Sequence, residues 1–273
     1  MIDLRETAFA KINLALHVRR RRDDGYHEIE TLFAFVDAGD ELTARTAAQD
    51  SLTVTGEFAP ALNDPFGNIV AKALGKLPRA ERLALTLEKN LPVAAGLGGG
   101  SADAGAVFRM VRARYGLPDD WRERAATLGA DVPACVESVA CIGRGTGTEL
   151  EPVENDLAGT PVLLVNPRVP VPTGPVFAAW DGVDSGPLDG RTARQIADCN
   201  GNDFERIVFE RMDVEGALFV WNALYDTGGL LTRMSGSGAT CFALFETIEE
   251  REAAAKQISR KNPGWWQMQG RLR

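Results

Sequence analysis

Apolar residues fall at alternate positions near the start of the chain. Over 8–18, Ala8, Ala10, Ile12, Leu14, Leu16 and Val18 recur with period 2, and Phe9, Lys11, Asn13, Ala15 and His17 lie between them. That period predicts a strand. Its second face carries Lys11, Asn13 and His17, which either meet solvent or point into one site. The charged run 19–27 contains Asp24-Gly25 and predicts an exposed turn. A second strand is expected over 28–36, antiparallel to the first. Four consecutive arginines at 19–22 read either as a phosphate-attracting patch or as a solvated loop.

Further along, helical spacing covers 68–77 and strand alternation covers 82–89. A helix is expected to begin close to Ser101, because Val107, Met110, Val111 and Tyr115 follow the 3.6 period. Another amphipathic helix contains Trp121, Ala125 and Leu128. The later half predicts a buried strand at 162–165, helices at 204–212, 216–225 and 249–259, and strands at 230–234, 241–245 and 265–269. Interleaved strands and helices imply a two-layer protein of mixed α and β structure. The prolines between 161 and 175 read as a semi-rigid connection, which places a boundary near 160 and divides the chain into 1–159 and 160–273.

Composition narrows the class. With 45% apolar and 25% charged residues the chain is globular rather than disordered. A net charge of −8 argues against a broad nucleic-acid footprint, so no nucleic-acid partner is expected. Cysteines 135, 141, 199 and 241 include no Cys-x-x-Cys pair and read as buried reduced thiols. His17 and His27 lack ligand spacing, so no residue is assigned to a metal. Neither a secretory pattern nor an apolar run of membrane-spanning length is present, which predicts no membrane association and a cytoplasmic location.

The strongest chemical signal is Gly96-Leu97-Gly98-Gly99-Gly100-Ser101, between a strand and a helix. Glycines let backbone N–H groups converge, and a following helix adds its positive dipole end, so the pattern suits a chain of phosphates. It is neither common phosphate motif: Gly75-Lys76 is followed by Leu77, and Gly96 and Gly98 are followed by Ser101 instead of a third glycine. Asp131, in Gly129-Ala130-Asp131-Val132-Pro133, reads as a carboxylate base or as a turn or cap aspartate. Paired with the Lys11 ammonium, it would accept a hydroxyl proton. Residues 233–240 form a second glycine turn, either a plain hairpin or an element closing on phosphates or substrate. Tyr26-His27 offers an aromatic face and a hydrogen-bonding ring, suited to a flat heterocycle or simply half-buried in a sheet.

Ala10-Lys11-Ile12-Asn13-Leu14, Asp24-Gly25-Tyr26-His27, Leu91-Pro92-Val93 through Ser101, the Gly129–Pro133 segment, Gly143-Arg144-Gly145 and Met234-Ser235-Gly236-Ser237-Gly238-Ala239 occur in this order. The set resembles the GHMP kinase superfamily, and within it the branch acting on a cytidine diphosphate methylerythritol. The resemblance implies an α+β, two-lobed GHMP kinase fold, with an N-terminal nucleotide-binding lobe, a ferredoxin-like C-terminal lobe and an active site in the cleft between. It implies ATP with Mg2+ as cofactor and a small-molecule substrate phosphorylated on its 2-hydroxyl in non-mevalonate isoprenoid precursor biosynthesis; homodimer formation stays open. By the same resemblance Asp131 is the catalytic base and Lys11 its partner. The ATP site takes in Asn68, Pro92, Val93, Ala94, Ala95, Gly96, Leu97, Gly98, Gly99, Gly100, Ser101 and Ala102. The substrate side takes in Asn13, Tyr26, His27, Thr173 and Phe177. One departure stands out: Ser101-Ala102-Asp103-Ala104 replaces the Ser-Ser-Asn-Ala common in relatives, which leaves open the side chain that meets Mg2+. Other alcohol kinases of the superfamily act on substrates with no base to stack, against Tyr26-His27. A non-catalytic sensor has no use for Lys11 with Asp131, and a nicotinamide enzyme lacks its glycine fingerprint.

Overall fold

The computed structural model describes residues 3–62, 67–212, 214 and 216–273. In chain order its strands are β1 (Asp3–Arg21), β2 (His27–Ala47), β3 (Ser51–Thr55), β4 (Arg82–Glu88), β5 (Cys141–Arg144), β6 (Glu149–Pro152), β7 (Pro161–Asn166), β8 (Leu231–Met234), β9 (Cys241–Leu244) and β10 (Trp266–Arg271). The helices are α1 (Ile69–Lys76), α2 (Gly99–Tyr115), α3 (Trp121–Ala126), α4 (Val132–Glu137), α5 (Thr173–Ala178), α6 (Ala193–Cys199), α7 (Phe204–Arg206) with a π turn over Ile207–Arg211, α8 (Ala217–Tyr225) and α9 (Ile248–Lys261). Two compact units emerge. One draws on the described parts of Met1–Ala10, Gly39–Val93 and Gly98–Ser138, the other on Lys11–Ala38, Ala94–Leu97 and Val139–Arg273.

In the first unit β4 runs antiparallel to the second half of β2, from Glu41↔Glu88 to Ala47↔Arg82, and β3 lies parallel to β4. Leu83, Leu85 and Leu87 turn inward along β4, the alternation the sequence shows. Helix α2 is buried over 102–111 and packs on α1 and α4. Arg109 locks that packing: its Nη1 donates to the Cys135 carbonyl (2.6 Å) and Ser138 Oγ (3.0 Å), and its Nη2 to the Thr7 carbonyl (2.6 Å). A second buried charge group holds the start of α2. Lys89 Nζ donates to Asp40 Oδ2 (2.5 Å) and Asp103 Oδ2 (2.7 Å). Burial pushes the Asp103 carboxyl well above its usual range, against the pull of Lys89.

The second unit holds an antiparallel sheet in the order β10-β7-β9-β8, with α8 and α9 packed on it. Every residue of β7 is buried, as expected of a central strand. The first half of β2 pairs with β5, Thr31↔Gly143 to Phe33↔Cys141, and β5 continues to β6.

Several expectations need correction. The second strand does not stop at 36. It runs to Ala47 through Gly39-Asp40. Glycine serves there because a Cβ would lie 1.9 Å from the Ala8 carbonyl oxygen, so the strand backbones approach too closely for any side chain. The proline-rich stretch expected as a semi-rigid connection contains regular elements: Pro161 opens β7, where its missing N–H is tolerated, Pro172 is the N-cap of α5 and Pro175 lies in its first turn. Strands β3, β5 and β6 and helices α4, α5 and α6 are too short for their periodicity to register. Cys135, Cys141 and Cys241 are buried, but Cys199 is exposed.

Candidate active site

The face of β1 that carries Lys11, Asn13 and His17 is buried, with exposures of 4%, 2% and 7%, so the solvated alternative fails. Lys11 Nζ donates to Asn13 Oδ1 (2.9 Å) and lies 5.3 Å from the Phe33 ring centre. Asn13 Nδ2 donates to Thr31 Oγ1 (2.8 Å), which itself donates to the Ala15 carbonyl (2.7 Å). A chain of directed bonds therefore orients the ammonium. His17 belongs elsewhere: its Nδ1 sits 2.9 Å from the Gly186 carbonyl oxygen, which makes that nitrogen the donor.

The glycine loop is held by its carbonyls. Ala94 O accepts from Val171 N (2.9 Å), Ala95 O from Thr240 N (3.2 Å), Gly96 O from Ser235 Oγ (2.7 Å) and Leu97 O from Lys11 N (3.0 Å). In a trans peptide the next residue's N–H points opposite to the carbonyl. Four successive carbonyls turned into the protein therefore aim the N–H groups of 95–98 the other way, the arrangement an anion cradle requires. The second glycine turn is both a β8–β9 hairpin and the brace of this loop. A Cβ on Gly96 (φ +79°) would lie 2.1 Å from the Ser235 carbonyl oxygen. Asn202 Nδ2 fixes the turn by donating to the Met234 and Gly236 carbonyls, both at 2.8 Å. Gly96→Ala combines left-handed strain with backbone overlap, so we expect a loss of roughly 3 kcal/mol or more. A thermal melt should show a midpoint drop of at least about 6 °C; an unchanged midpoint would contradict this packing.

Within the first unit, α2 starts at Gly99, and Ser101 in its first turn is half-buried. A Cβ on Gly129 would stand 3.7 Å from Ser101 Oγ, so the Gly129–Pro133 segment borders that first turn. Asp131 occupies the N-cap position of α4, but its side chain accepts no cap hydrogen bond. Capping is thus not what this carboxylate does. Asp103 Oδ2 is taken by Lys89, while its Oδ1 is buried with no hydrogen-bond partner among the described residues, and Ser101 adds a half-buried hydroxyl at the mouth of α2. Asn68 caps α1, its Oδ1 accepting from Val70 N at 2.9 Å.

A ring cluster forms in the second unit. His27 lies 5.1 Å from Phe177 and 5.8 Å from Trp180, centre to centre, and Phe177 lies 4.6 Å from Phe204. His27 Nε2 is buried with no hydrogen-bond partner among the described residues. Burial, with the Arg21 charge adding to it, lowers the His27 pKa below its ordinary 6.5. Thr173 Oγ1 is 3.2 Å from Ser237 Oγ, which ties the start of α5 to the glycine turn. Tyr26 is 65% exposed and takes no part in the described ring contacts. Sequence reasoning missed Trp180, Arg109, Asn202 and Lys89. It also found no pattern in 178–200, a stretch pinned by Glu30, which accepts from Arg19, Arg144 and the Leu188 N–H.

Residues 68–138 match the model of the GHMP kinases N terminal domain, and 219–264 that of the GHMP kinases C terminal domain. A protein of Novosphingobium aromaticivorans named 4-diphosphocytidyl-2-C-methyl-D-erythritol kinase is 70% identical over 272 residues, covering 100% of this chain and 94% of that protein. One of the same name from Erythrobacter litoralis is 60% identical over 98% of each. A crystal structure of 4-(cytidine 5'-diphospho)-2C-methyl-D-erythritol kinase superposes with a TM-score of 0.82 at 30% identity, covering 98% of this chain and 99% of that one. A homoserine kinase from Cytophaga hutchinsonii shares the fold, with a TM-score of 0.68 at 17% identity over 96% of this chain and 95% of that one.

Proposed function

The chain belongs to the 4-diphosphocytidyl-2-C-methyl-D-erythritol kinase family of the GHMP kinases, and we propose that it transfers the γ-phosphoryl of ATP to the 2-hydroxyl of that cytidyl alcohol. The observation that carries the choice of acceptor is His27: a neutral imidazole beside Phe177, with a buried ring nitrogen lacking a protein partner. An unsatisfied buried nitrogen is costly, and the polar edge of a pyrimidine base satisfies it while the base stacks on the rings. Mevalonate or homoserine has no base to fill that place.

Phosphoryl transfer leaves the protein mainly positioning and charge stabilisation. In this reading the N–H groups of 95–98 and the start of α2 hold the phosphates, with Asn68 on the adenine side. Asp131 accepts the hydroxyl proton, and Lys11, oriented by Asn13, neutralises charge on the reacting oxygens. Thr173, Phe177, Tyr26 and His27 form the substrate side. Mg2+ would arrive mostly phosphate-bound, and Ser101 in the first turn of α2 would offer it a side-chain oxygen. When bound, Mg2+ would neutralise negative charge on the phosphates. No helix among the described residues is long and apolar enough to cross a membrane. A cytoplasmic location and the division at 159/160 belong to the same proposal.

His27→Ala should raise the KM for the cytidyl alcohol roughly tenfold or more while kcat and the KM for ATP hold, because base contacts act equally in ground and transition states. Steady-state kinetics check this; a changed ATP constant with an unchanged acceptor constant would contradict it. The neutral ring also sets the pH dependence. A histidine lowered below 6.5 stays neutral from pH 8 down to about 6.5, so the acceptor KM should be flat there and rise only in more acid buffer. A rise beginning above pH 7 would contradict the assignment.

A further inference from the structure

Arg21 is exposed, yet it is not left to solvent alone. Its neighbours pair with carboxylates: Arg19 with Asp184 and Glu30, Arg20 with Glu28, Arg22 with Asp24. Arg21 instead donates from Nη2 to the Ala178 carbonyl (3.0 Å) and the Trp180 carbonyl (2.6 Å). Ala178 ends α5, and carbonyls at a helix C-terminus lack intrahelical donors and favour a cation. Phe177 and Trp180, the two rings that touch His27, flank those anchor points. One guanidinium on β1 thus ties the hairpin that carries His27 to the segment that carries the rings beside it.

We propose that Arg21 is a positioning residue for the base-reading end of the substrate subsite, fixing Phe177 and Trp180 against His27. The inference rests on the cytidyl reading of His27. Its charge acts in the same direction as its bonds. Among the other charges on the surrounding elements, Arg20 pairs with Glu28, Arg22 with Asp24 and Asp181 with Arg206, while Asp203 accepts from Val18 N and Glu205 from Met234 N; Asp23, an anion, makes no ion pair among the described contacts. Arg21 is left as the cation that disfavours a second proton on His27, after burial itself. The ring keeps one donor and one acceptor nitrogen, the pair a neutral heterocycle edge needs.

The test uses Arg21→Ala and Arg21→Lys in the full chain, with kinetics on the cytidyl alcohol and an NMR titration of His27 in the free protein. Arg21→Ala should raise the acceptor KM roughly tenfold, the scale of a lost charge-assisted hydrogen bond, with kcat and the ATP KM holding. The His27 midpoint should move up toward 6.5. Arg21→Lys keeps a point charge but not the fork, so it should leave the titration low and recover part of the acceptor KM. Folded variants with native acceptor KM and unmoved titration, or acceptor and ATP constants rising together, would overturn the proposal. The titration needs no substrate. Failure to phosphorylate the cytidyl alcohol removes the functional reading, and the His27 midpoint then decides the positioning claim by itself.

Discussion

Asp131→Asn should lower kcat by roughly 10²–10⁴-fold, the range spanned by loss of a general base, with little change in either KM or in the thermal midpoint. The variant isolates chemistry from folding. Asn has the same shape and is as good an N-cap as Asp, and the Asp131 side chain makes no cap bond that could be lost. Val132–Val136 behind it are buried and untouched by the change. Asn removes the negative charge and with it the capacity to take a proton. Turnover measured with ATP and acceptor both saturating is the check, and a kcat within about threefold of native would remove Asp131 from the role of base.

Lys11→Met should lower kcat by roughly 10²–10³-fold, the scale for removing one preorganised electrostatic partner of the transition state. Lys11 is 4% exposed, so Met is tolerated by its apolar walls, which include the Phe33 ring. Asn13 Oδ1, buried, loses its donor, a cost of about 1–3 kcal/mol in stability. Lys11→Arg should not rescue, because a planar fork does not reproduce a point ammonium in the same space. If Lys11 and Asp131 serve the same oxygen, their effects do not add. The Lys11→Met, Asp131→Asn double variant should then fall no more than about tenfold below the worse single variant. Full multiplication of the two losses would show that they act independently.

How much of this is legible before the coordinates depends on the signal. The alternation over 8–18 and 82–89 gives β1 and β4, because one period survives for seven residues or more. Asn68 and the 3.6 spacing give α1 and α2. Short elements leave no such trace: α4 and α5 span six residues each, less than two turns. Gly39 hides the continuation of β2, since a glycine placed for close backbone approach looks identical in sequence to one placed for a turn. The candidate site divides in the same way. Glycines flanking Leu97 announce a phosphate loop, but the sequence does not show that four carbonyls of 94–97 are engaged from 11, 171, 235 and 240, contacts distant along the chain. His27 reads as a ring for a heterocycle. Its partner Trp180 lies in a stretch with no period, and Arg21 is indistinguishable from the three arginines beside it until its acceptors are known.

Phosphorus NMR of a reaction holding the purified chain, ATP, Mg2+ and 4-diphosphocytidyl-2-C-methyl-D-erythritol bears most directly on the assignment of donor, acceptor and bond formed. The expected result is a new phosphomonoester resonance with the cytidyl diphosphate intact, one ADP for each molecule converted, and no product when the cytidyl group is absent from the alcohol. ATP consumption at the same rate with and without the alcohol, or equal phosphorylation of mevalonate or homoserine, would contradict it.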